Sequence, residues 1–338
     1  MRLSFFVIPE DKRHCEQSEA ISLTKIEKMQ TAIINNQLLD KLRQLEKFVG
    51  NTPLYPITRL NTKPNVKIYA KLEWQQLSNS VKARAAFNII KQAVLNGDID
   101  EQKGLIDASS GNTAVAYATI GAKLGIPVTL CVPENASTAK KNALKALGAM
   151  IIFTSRFGGT DEAQQKAKEL SDENPLQYFY TNQYANDNNW KAHYNGTANE
   201  IWNQTKEKVT HFIAGLGTTG TFVGTSRKLK ELNPEIKTIS LQPNSAMHGL
   251  EGWKHLESAI VPKIYDDKVA DENRFVDTYE AFDLIKDAAK FEGLLLSPSA
   301  AANLLGALQL AEELEEGVIV TTFADHASNY PEILETIL

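Results

Sequence analysis

The chain has few cysteines, no excess of basic residues and no long apolar run. Its 338 residues include two cysteines, too few for the disulfide framework of a small secreted domain. The 36 Lys and Arg against 41 Asp and Glu give a net charge of −5, which argues against a nucleic-acid partner. No apolar run reaches the roughly 18–20 residues of a membrane span, and the short run Leu3–Ile8 precedes charges rather than a cleavage site. We expect a cytoplasmic protein with neither nucleic acid nor membrane as partner.

Length and apolar content predict a two-lobed α/β protein. The chain exceeds the roughly 250–300 residues at which single cores stop growing, and 43% of it is hydrophobic. Short apolar runs alternate with longer amphipathic stretches, which is typical of strand–helix units on mostly parallel sheets flanked by helices. The predicted strands are Val66–Leu72, Gly104–Ala108, Pro127–Val132, Ala149–Thr154, His211–Ala214, Thr238–Gln242 and Val318–Thr322. The predicted helices are Val81–Asn96, Thr113–Leu124, Thr138–Leu147, Thr160–Asp172, Thr221–Leu232, Thr278–Phe291, Ala300–Glu315 and Tyr330–Leu338.

Two regions break this alternation. Residues 1–28 show no periodic pattern and are followed directly by Met29, so we expect either a disordered N-terminal extension or a misassigned start. Residues 243–277 carry Pro, His and Asp without an obvious period. A stretch of that length inside a folded domain is more often a functional loop than an idle connection.

Three segments combine a turn rich in Gly, Ser or Thr with a helix start. Such a turn places backbone N–H groups and the positive end of a helix dipole beside an anion. In the first, Gly215–Thr221, three glycines allow close backbone approach and three threonines add hydroxyl donors. It is neither a P-loop nor a dinucleotide-binding motif, because no Gly-Lys-Ser/Thr follows and its third glycine comes too early. The segment predicts a phosphate site, with an ordinary tight turn as the alternative.

The second segment, Ser109–Thr113, follows a predicted strand. Consecutive small polar residues at a helix N-terminus can hold a carboxylate through several N–H and hydroxyl donors at once. The amide of Asn112 remains free to bond a second group of the ligand. An ordinary helix cap is the alternative interpretation.

The third segment, Ser78–Arg84, places Lys82 in the first turn of an otherwise apolar helix. A cation at that positive end is unfavourable by a few tenths of a kcal/mol to about 1 kcal/mol. A lysine that is neutralised as an imine escapes this cost, which favours a Schiff-base lysine over a merely solvated one. A lysine, a phosphate site and a carboxylate site together are what a pyridoxal phosphate enzyme of amino acids requires.

These motifs, in this order and spacing, resemble the fold-type II pyridoxal phosphate enzymes and within them the cysteine synthase family. The similarity runs from about Leu45 to near the C-terminus. The segments that carry it are Gly50–Leu54, Lys71–Glu73, Ser80–Arg84, Ser110–Thr113 and Gly217–Thr221. Finer features resemble the type B cysteine synthases: Thr210–Phe212 before the glycine loop, Leu241–Pro243, and Ala192–Tyr194 ahead of Glu200–Trp202.

The resemblance implies a role for each matching residue. It makes Lys82 the catalytic lysine that binds the cofactor and moves the α-proton of the substrate. It implies that the cofactor is held by Lys82, Asn112, Gly217, Thr218, Thr219, Gly220, Thr221 and Ser299, with Asn112 on the phenolic oxygen and Ser299 facing the pyridine nitrogen. It implies that the substrate carboxylate is held by Ser109, Ser110, Gly111, Thr113 and Gln183. No metal is expected.

The family also implies an architecture and a reaction. A large cofactor-binding domain would combine residues 29–60 with 188–338, and a small mobile substrate-binding domain would span residues 61–187, in a homodimer. The reaction would be a β-replacement that converts an activated serine, O-acetyl- or O-phosphoserine, and a sulfur donor into L-cysteine by way of an aminoacrylate.

The sequence departs from the family pattern at several places. Ala83 stands where Asp is usual, and Ser297–Ala301 differs from the usual Gly-x-Ser-Ser-Gly. The loop His248–Trp253 and the segment Asp325–Ser328 also differ. These differences leave two alternatives open: a serine/threonine dehydratase or a synthase with another nucleophile, and a binding protein without catalytic activity.

Overall fold

The computed structural model of the protein describes residues 37–337, so the predicted extension over residues 1–28 lies outside the described part. The strands are β1 (Leu54–Ile57), β2 (Val66–Leu72), β3 (Gly104–Ala108), β4 (Val128–Pro133), β5 (Met150–Thr154), β6 (Tyr178–Tyr180), β7 (His211–Gly215), β8 (Lys237–Pro243), β9 (Glu272–Val276) and β10 (Gly317–Phe323). The helices are α1 (37–46), α2 (Lys82–Asn96), α3 (Asn112–Leu124), α4 (Thr138–Ala146), α5 (Gly159–Glu173), α6 (Asp187–Ala192), α7 (Ala198–Gln204), α8 (Gly220–Leu232), α9 (Thr278–Asp287), α10 (Pro298–Glu313) and α11 (Pro331–Ile337).

The strands form two sheets. Six strands are ordered β1-β2-β10-β7-β8-β9, with β1 antiparallel to β2 and every other neighbouring pair parallel. The second sheet has the order β5-β4-β3-β6 and is parallel throughout. The predicted fold class, α/β with mostly parallel sheets flanked by helices, is confirmed.

All seven predicted strands are found, each within one residue at both ends. The three strands that the apolar pattern does not predict, β1, β6 and β9, lie at sheet edges. An edge strand has fewer buried neighbours and therefore needs no continuous apolar run. β1 contains Pro56, which only an edge position tolerates, and most of β9 is exposed. The short helices α6 and α7, joined by the π-helical turn His193–Thr197, were likewise absent from the predicted elements.

Each sheet has its own apolar core. Residues of β3 and β4 pack against α2 and α3, while β2, β8 and β10 pack against α9 and α10. The predicted small domain, residues 61–187, includes β2, yet β2 pairs with β10 inside the six-stranded sheet. The apolar pattern of a central strand does not reveal which sheet it joins. The division into domains stays a prediction, and the pairing of β2 favours a first boundary after residue 72.

The topology brings the ends of several strands and the starts of several helices to one place. The carboxyl ends of β3, β7 and β10 lead toward the N-termini of α3 and α8 and toward the start of α2. In open parallel sheets, ligands bind at such carboxyl ends. Over residues 37–337, none of the helices combines the length and apolarity that a membrane crossing requires.

Candidate active site

One cleft brings together the predicted site residues with a single exception. Its wall contains Lys82, Ser109, Ser110, Gly111, Asn112, Thr113, Gln183, Gly217, Thr218, Thr219, Thr221 and Ser299. The exception is Gly220, the buried first residue of α8, where an added Cβ would lie 2.0 Å from Oδ1 of Asn189. Gly220 thus supports the loop through close packing rather than by facing the cleft.

Lys82 is the first residue of α2, one residue later than the predicted helix start at Val81 and within the first turn, where the sequence places it. The backbone just before it is held by β-type pairing: Val81 N–H donates to the carbonyl of Ala324 at 2.8 Å, and Ser80 pairs with Asp325. Burial lowers the pKa of the Lys82 amine, and the negative charge of Asp325 opposes that shift. A lowered pKa makes the neutral, nucleophilic amine more accessible near neutral pH.

The predicted carboxylate turn begins where β3 ends. Thr113 donates its hydroxyl to Oε1 of Gln183 at 2.7 Å, and Gln183 in turn donates to the carbonyl of Ala108 at 3.1 Å. Ser109 Oγ accepts from the N–H groups of Gly111 and Ala114, both at 3.3 Å. These bonds fix the turn, and its side chains line the cleft at the N-terminus of α3.

Asp107 lies directly beneath this turn. Its buried carboxylate accepts from the Thr181 hydroxyl at 2.7 Å and from the backbone N–H groups of Ala108 at 2.8 Å and Gln183 at 3.3 Å. Burial raises the pKa of Asp107 to about 6, although the three donors oppose the shift. Asp107 thus links the end of β3 to the segment that carries Gln183.

The predicted phosphate loop connects β7 to α8. Thr219 caps α8 with a φ of 71°, a left-handed conformation that is strained for a β-branched residue. Its Oγ1 is buried and has no hydrogen-bond partner among residues 37–337. Gly217 lies so close to the neighbouring loop that a Cβ there would be 2.0 Å from the carbonyl oxygen of Gly252.

Two residues without a predicted role anchor this loop. Asn303 accepts from Gly215 N–H at 2.8 Å and donates to the carbonyl of Thr322 at 2.7 Å, which ties the loop to β10. His193 is buried, with its Nε2 3.3 Å from Oγ1 of Thr221. Burial, with help from the charges of Arg84 and Lys82, lowers the pKa of His193 well below its usual range, so the ring is neutral.

These groups fit pyridoxal phosphate. A phosphate takes several donors, and the loop offers a buried unpaired hydroxyl on Thr219 at the N-terminus of a 13-residue helix. The cofactor's aldehyde needs an amine, and Lys82 lines the same cleft. Ser299 also lines the cleft. Its Oγ lies 3.3 Å from the Oγ of Ser297, the residue that caps α10.

A family model described as "Pyridoxal-phosphate dependent enzyme" matches residues 45–325. The chain belongs to this family. A cysteine synthase of Aquifex aeolicus is 44% identical over 84% of this chain and 89% of its own length. Cysteine synthase B of Pseudomonas aeruginosa is 38% identical over 83% and 93%. The solved cysteine synthase of Entamoeba histolytica, 30% identical, superposes with a TM-score of 0.80 over 86% of this chain and 94% of that one. The family predicted from the motifs, with its pyridoxal phosphate cofactor, is confirmed.

The cleft wall also contains residues to which the sequence assigned no role. Glu251, Trp253 and Lys254 come from the predicted functional loop, and Asn303 and Tyr330 from α10 and the segment before α11. Trp253 packs in the core at the same time, since a Cβ on Gly215 would lie 1.9 Å from its ring. For Glu251, Trp253 and Lys254 the sequence did contain an indication, because the length of their irregular loop alone predicts a functional role. Within residues 37–337, no group of three or more His, Cys, Asp or Glu is placed to hold a metal ion.

Proposed function

We propose that the protein is a pyridoxal phosphate-dependent cysteine synthase that makes L-cysteine from an activated serine and a sulfur donor. The proposal rests above all on one cleft that contains an amine on Lys82, an anion-binding loop at Gly217–Thr221 and a carboxylate turn at Ser109–Thr113. A β-replacement on an amino acid needs these three groups within reach of one another. The named cysteine synthases, up to 44% identical to this chain, support the same function.

The residues divide into those that bind and one that moves a proton. We assign the phosphate to the loop at Gly217–Thr221, the pyridine nitrogen to Ser299 and the phenolic oxygen to Asn112. The substrate carboxylate goes to Ser109–Thr113 together with Gln183, whose amide is already oriented by Thr113 and Ala108. Because both anions lie at helix N-termini, the two helix dipoles favour the same bound orientation.

When bound, pyridoxal phosphate draws electrons from the Cα of the amino acid and so acidifies its C–H bond. Lys82 Nζ accepts the Cα proton, and the β-substituent leaves with the electron pair of the Cβ–O bond. Sulfide adds at Cβ, and Lys82 returns its proton to Cα. Burial lowers the pKa of Lys82, so that one amine can both accept and donate the proton near neutral pH.

Product analysis tests the proposal. The holoenzyme is supplied with O-acetylserine or O-phosphoserine and with sulfide, and cysteine and pyruvate are quantified by mass spectrometry. We expect cysteine from at least one of the two serine esters and its loss in Lys82→Ala. Lys91→Ala is the matched control, because Lys91 lies on the same helix and pairs with Glu46 at the surface.

Other products would contradict the proposal in identifiable ways. Pyruvate without cysteine would assign the protein to the serine/threonine dehydratases. Cofactor binding without turnover of either ester would favour a binding protein. The same sample, reduced with borohydride and mapped by peptide analysis, should carry the pyridoxyl group on Lys82, and its recovery on another lysine would refute the mechanism.

Three further expectations belong to this proposal. We place the protein in the cytoplasm as a homodimer, and we expect residues 61–187, except β2, which pairs with β10, to move as a unit when substrate binds. Light scattering after gel filtration measures the mass in solution, for which a dimer predicts twice 37.4 kDa.

A further inference from the structure

The segment that follows β10 ties three parts of the cleft together. Ser80, two residues before Lys82, pairs with Asp325, and Val81 N–H donates to Ala324. His326 pairs with Leu296, just ahead of the turn that carries Ser299. Asp325 therefore stands beside the start of α2, where Lys82 lines the cleft.

The carboxylate of Asp325 is fully buried and bonded on one side only. Its Oδ2 accepts from Nδ2 of Asn112 at 2.7 Å, from the hydroxyl of Tyr330 at 2.7 Å and from Nδ2 of Asn329 at 3.3 Å. Its Oδ1 is buried without a hydrogen-bond partner among residues 37–337. A buried charged acceptor without a partner is costly, so this oxygen requires a compensating positive charge nearby.

Lys82 begins α2 two residues after Ser80, which pairs with Asp325, and we assign to it the balancing positive charge, which acts at a longer range than a direct ion pair. Other cations nearby are engaged elsewhere: Lys140 lies 4.6 Å from the ring of Tyr330 but pairs with Glu251, and Arg84 is bonded to Glu73 and Glu200. The buried His193 is neutral. The charge of Asp325 raises the pKa of the Lys82 amine against the effect of burial.

We propose that Asp325 is a positioning residue of the reaction, which holds the amide of Asn112 and stabilises the proton on Lys82 Nζ. The inference deepens the proposed function. In the proton-transfer step the Cα–H bond of the substrate breaks, its proton forms an N–H bond on Lys82, and its electron pair expels the β-substituent. Asp325 gains no proton, and its negative charge balances the ammonium for as long as Lys82 carries it.

Chemical labelling of Lys82 tests this without cofactor or substrate. The full chain, freed of cofactor, is treated briefly with acetic anhydride across a pH series, and acetylation of Lys82 is measured by peptide mass spectrometry. Asp325→Asn keeps the shape and an acceptor but removes the charge. We expect it to lower the pH midpoint of Lys82 labelling by about one unit, a tenfold faster reaction below the midpoint.

Two controls separate charge from structure. Tyr330→Phe removes a hydrogen bond to Asp325 but keeps its charge, so the midpoint should not fall. The labelling of Lys91 on the same helix should be equal in all three proteins. Equal Lys82 midpoints in wild type and Asp325→Asn would overturn the proposal.

A second measurement does not need Asp325→Asn to fold by itself. Without cofactor, Lys82→Met should destabilise the protein by leaving the carboxylate unbalanced, and the double variant Lys82→Met/Asp325→Asn should unfold at a higher temperature than Lys82→Met. A double variant no more stable than Lys82→Met would contradict the inference. Because neither test measures turnover, cysteine synthesis with an unshifted midpoint refutes only the role of Asp325, whereas a shifted midpoint without cysteine synthesis refutes only the proposed function.

Discussion

Lys140 and Glu251, the second of which lines the cleft, form an ion pair with 2.7 Å between Nζ and Oε1. Lys140 belongs to α4, beside the four-stranded sheet, and Glu251 to the loop after β8 of the six-stranded sheet. The lysine side chain is 10% exposed and the glutamate 46%. A Cβ on Gly111 would lie 3.9 Å from the same Oε1, so the pair stands next to the carboxylate turn.

Breaking this pair should weaken substrate binding more than it slows the chemistry. A half-exposed ion pair contributes about 0.5–1 kcal/mol, so Glu251→Gln should raise the KM for the serine ester about two- to fivefold with little change in kcat. Lys140→Met should act similarly, and the exchanged pair Lys140→Glu with Glu251→Lys should recover part of the loss. Steady-state kinetics measures this, with Lys141→Met as control, since Lys141 only donates to a surface carbonyl. An exchange no better than either single variant would contradict the role of the pair.

A buried ionic network behind the cleft predicts a large loss of stability. Arg84 lies 2.6 Å from both Glu73 and Glu200, and Lys71 lies 2.7 Å from Glu200. Removing one partner leaves a buried charge uncompensated, so Arg84→Met should lower the free energy of unfolding by about 3–5 kcal/mol. Lys168→Met is the control, because its pair with Asp172 is more than 60% exposed on both sides and contributes less than about 1 kcal/mol. Equal losses in denaturant unfolding would show that the network does not stabilise the fold.

Apart from Gln183, the site residues that the sequence predicts share one property: they lie at helix starts or in the turns that lead into them. Anion binding can be predicted from the local sequence at Gly217–Thr221 and Ser109–Thr113, because a turn with several donors fits an anion wherever it occurs in the chain. The hydrogen bond from Asn112 to Asp325 could not be found this way. Asn112 lies 213 residues away along the chain and follows β3 of the four-stranded sheet, whereas Asp325 follows β10 of the six-stranded sheet, so the two meet only because the fold brings the two sheets together. The same holds for Glu251 and Lys140, which are 111 residues apart.

The strands show the same difference: central strands can be predicted from the local sequence, whereas edge strands cannot. Central strands such as β4 are buried on both faces and so are visible as apolar runs. The edge strand β9 has one buried residue, Val276, and its sequence resembles a loop. Sheet membership is a further long-range property, which is why the place of β2 beside β10 could not be predicted.

Thr219 should have two opposite effects: its strained backbone lowers the stability of the protein, and its hydroxyl strengthens cofactor binding. A β-branched residue at φ 71° costs on the order of 1–3 kcal/mol, of which glycine recovers all but its own entropic cost. Thr219→Gly should therefore raise the free energy of unfolding of the cofactor-free protein by about 1 kcal/mol. It should also weaken cofactor binding, because the buried hydroxyl is lost. Thr219→Ser keeps the hydroxyl and should retain binding. Absorbance titration measures cofactor binding, and tighter binding in Thr219→Gly than in wild type would contradict this explanation.

Asp107 makes the stability of the fold depend on pH. Burial raises its pKa from 3.8 to about 6, so the folded protein binds this proton more tightly than the unfolded chain does. The contribution of Asp107 is therefore most favourable below pH 4 and falls as the pH rises to 6, by roughly 3 kcal/mol. Glu200, whose pKa its cationic partners lower to about 2, acts in the opposite sense between pH 4.5 and 2. The wild-type profile alone mixes the two effects.

Comparison with Asp107→Asn isolates the carboxyl group. Asparagine keeps an acceptor for Thr181 but places an N–H group against that of Ala108, which subtracts a constant offset at every pH. Relative to wild type, the variant should gain roughly 3 kcal/mol in unfolding free energy between pH 4 and 7, because it has no charge to bury. Denaturant unfolding at four pH values measures the difference, with the exposed Asp40→Asn as control. A difference that stays constant with pH would show that Asp107 is ionised in the folded protein throughout this range.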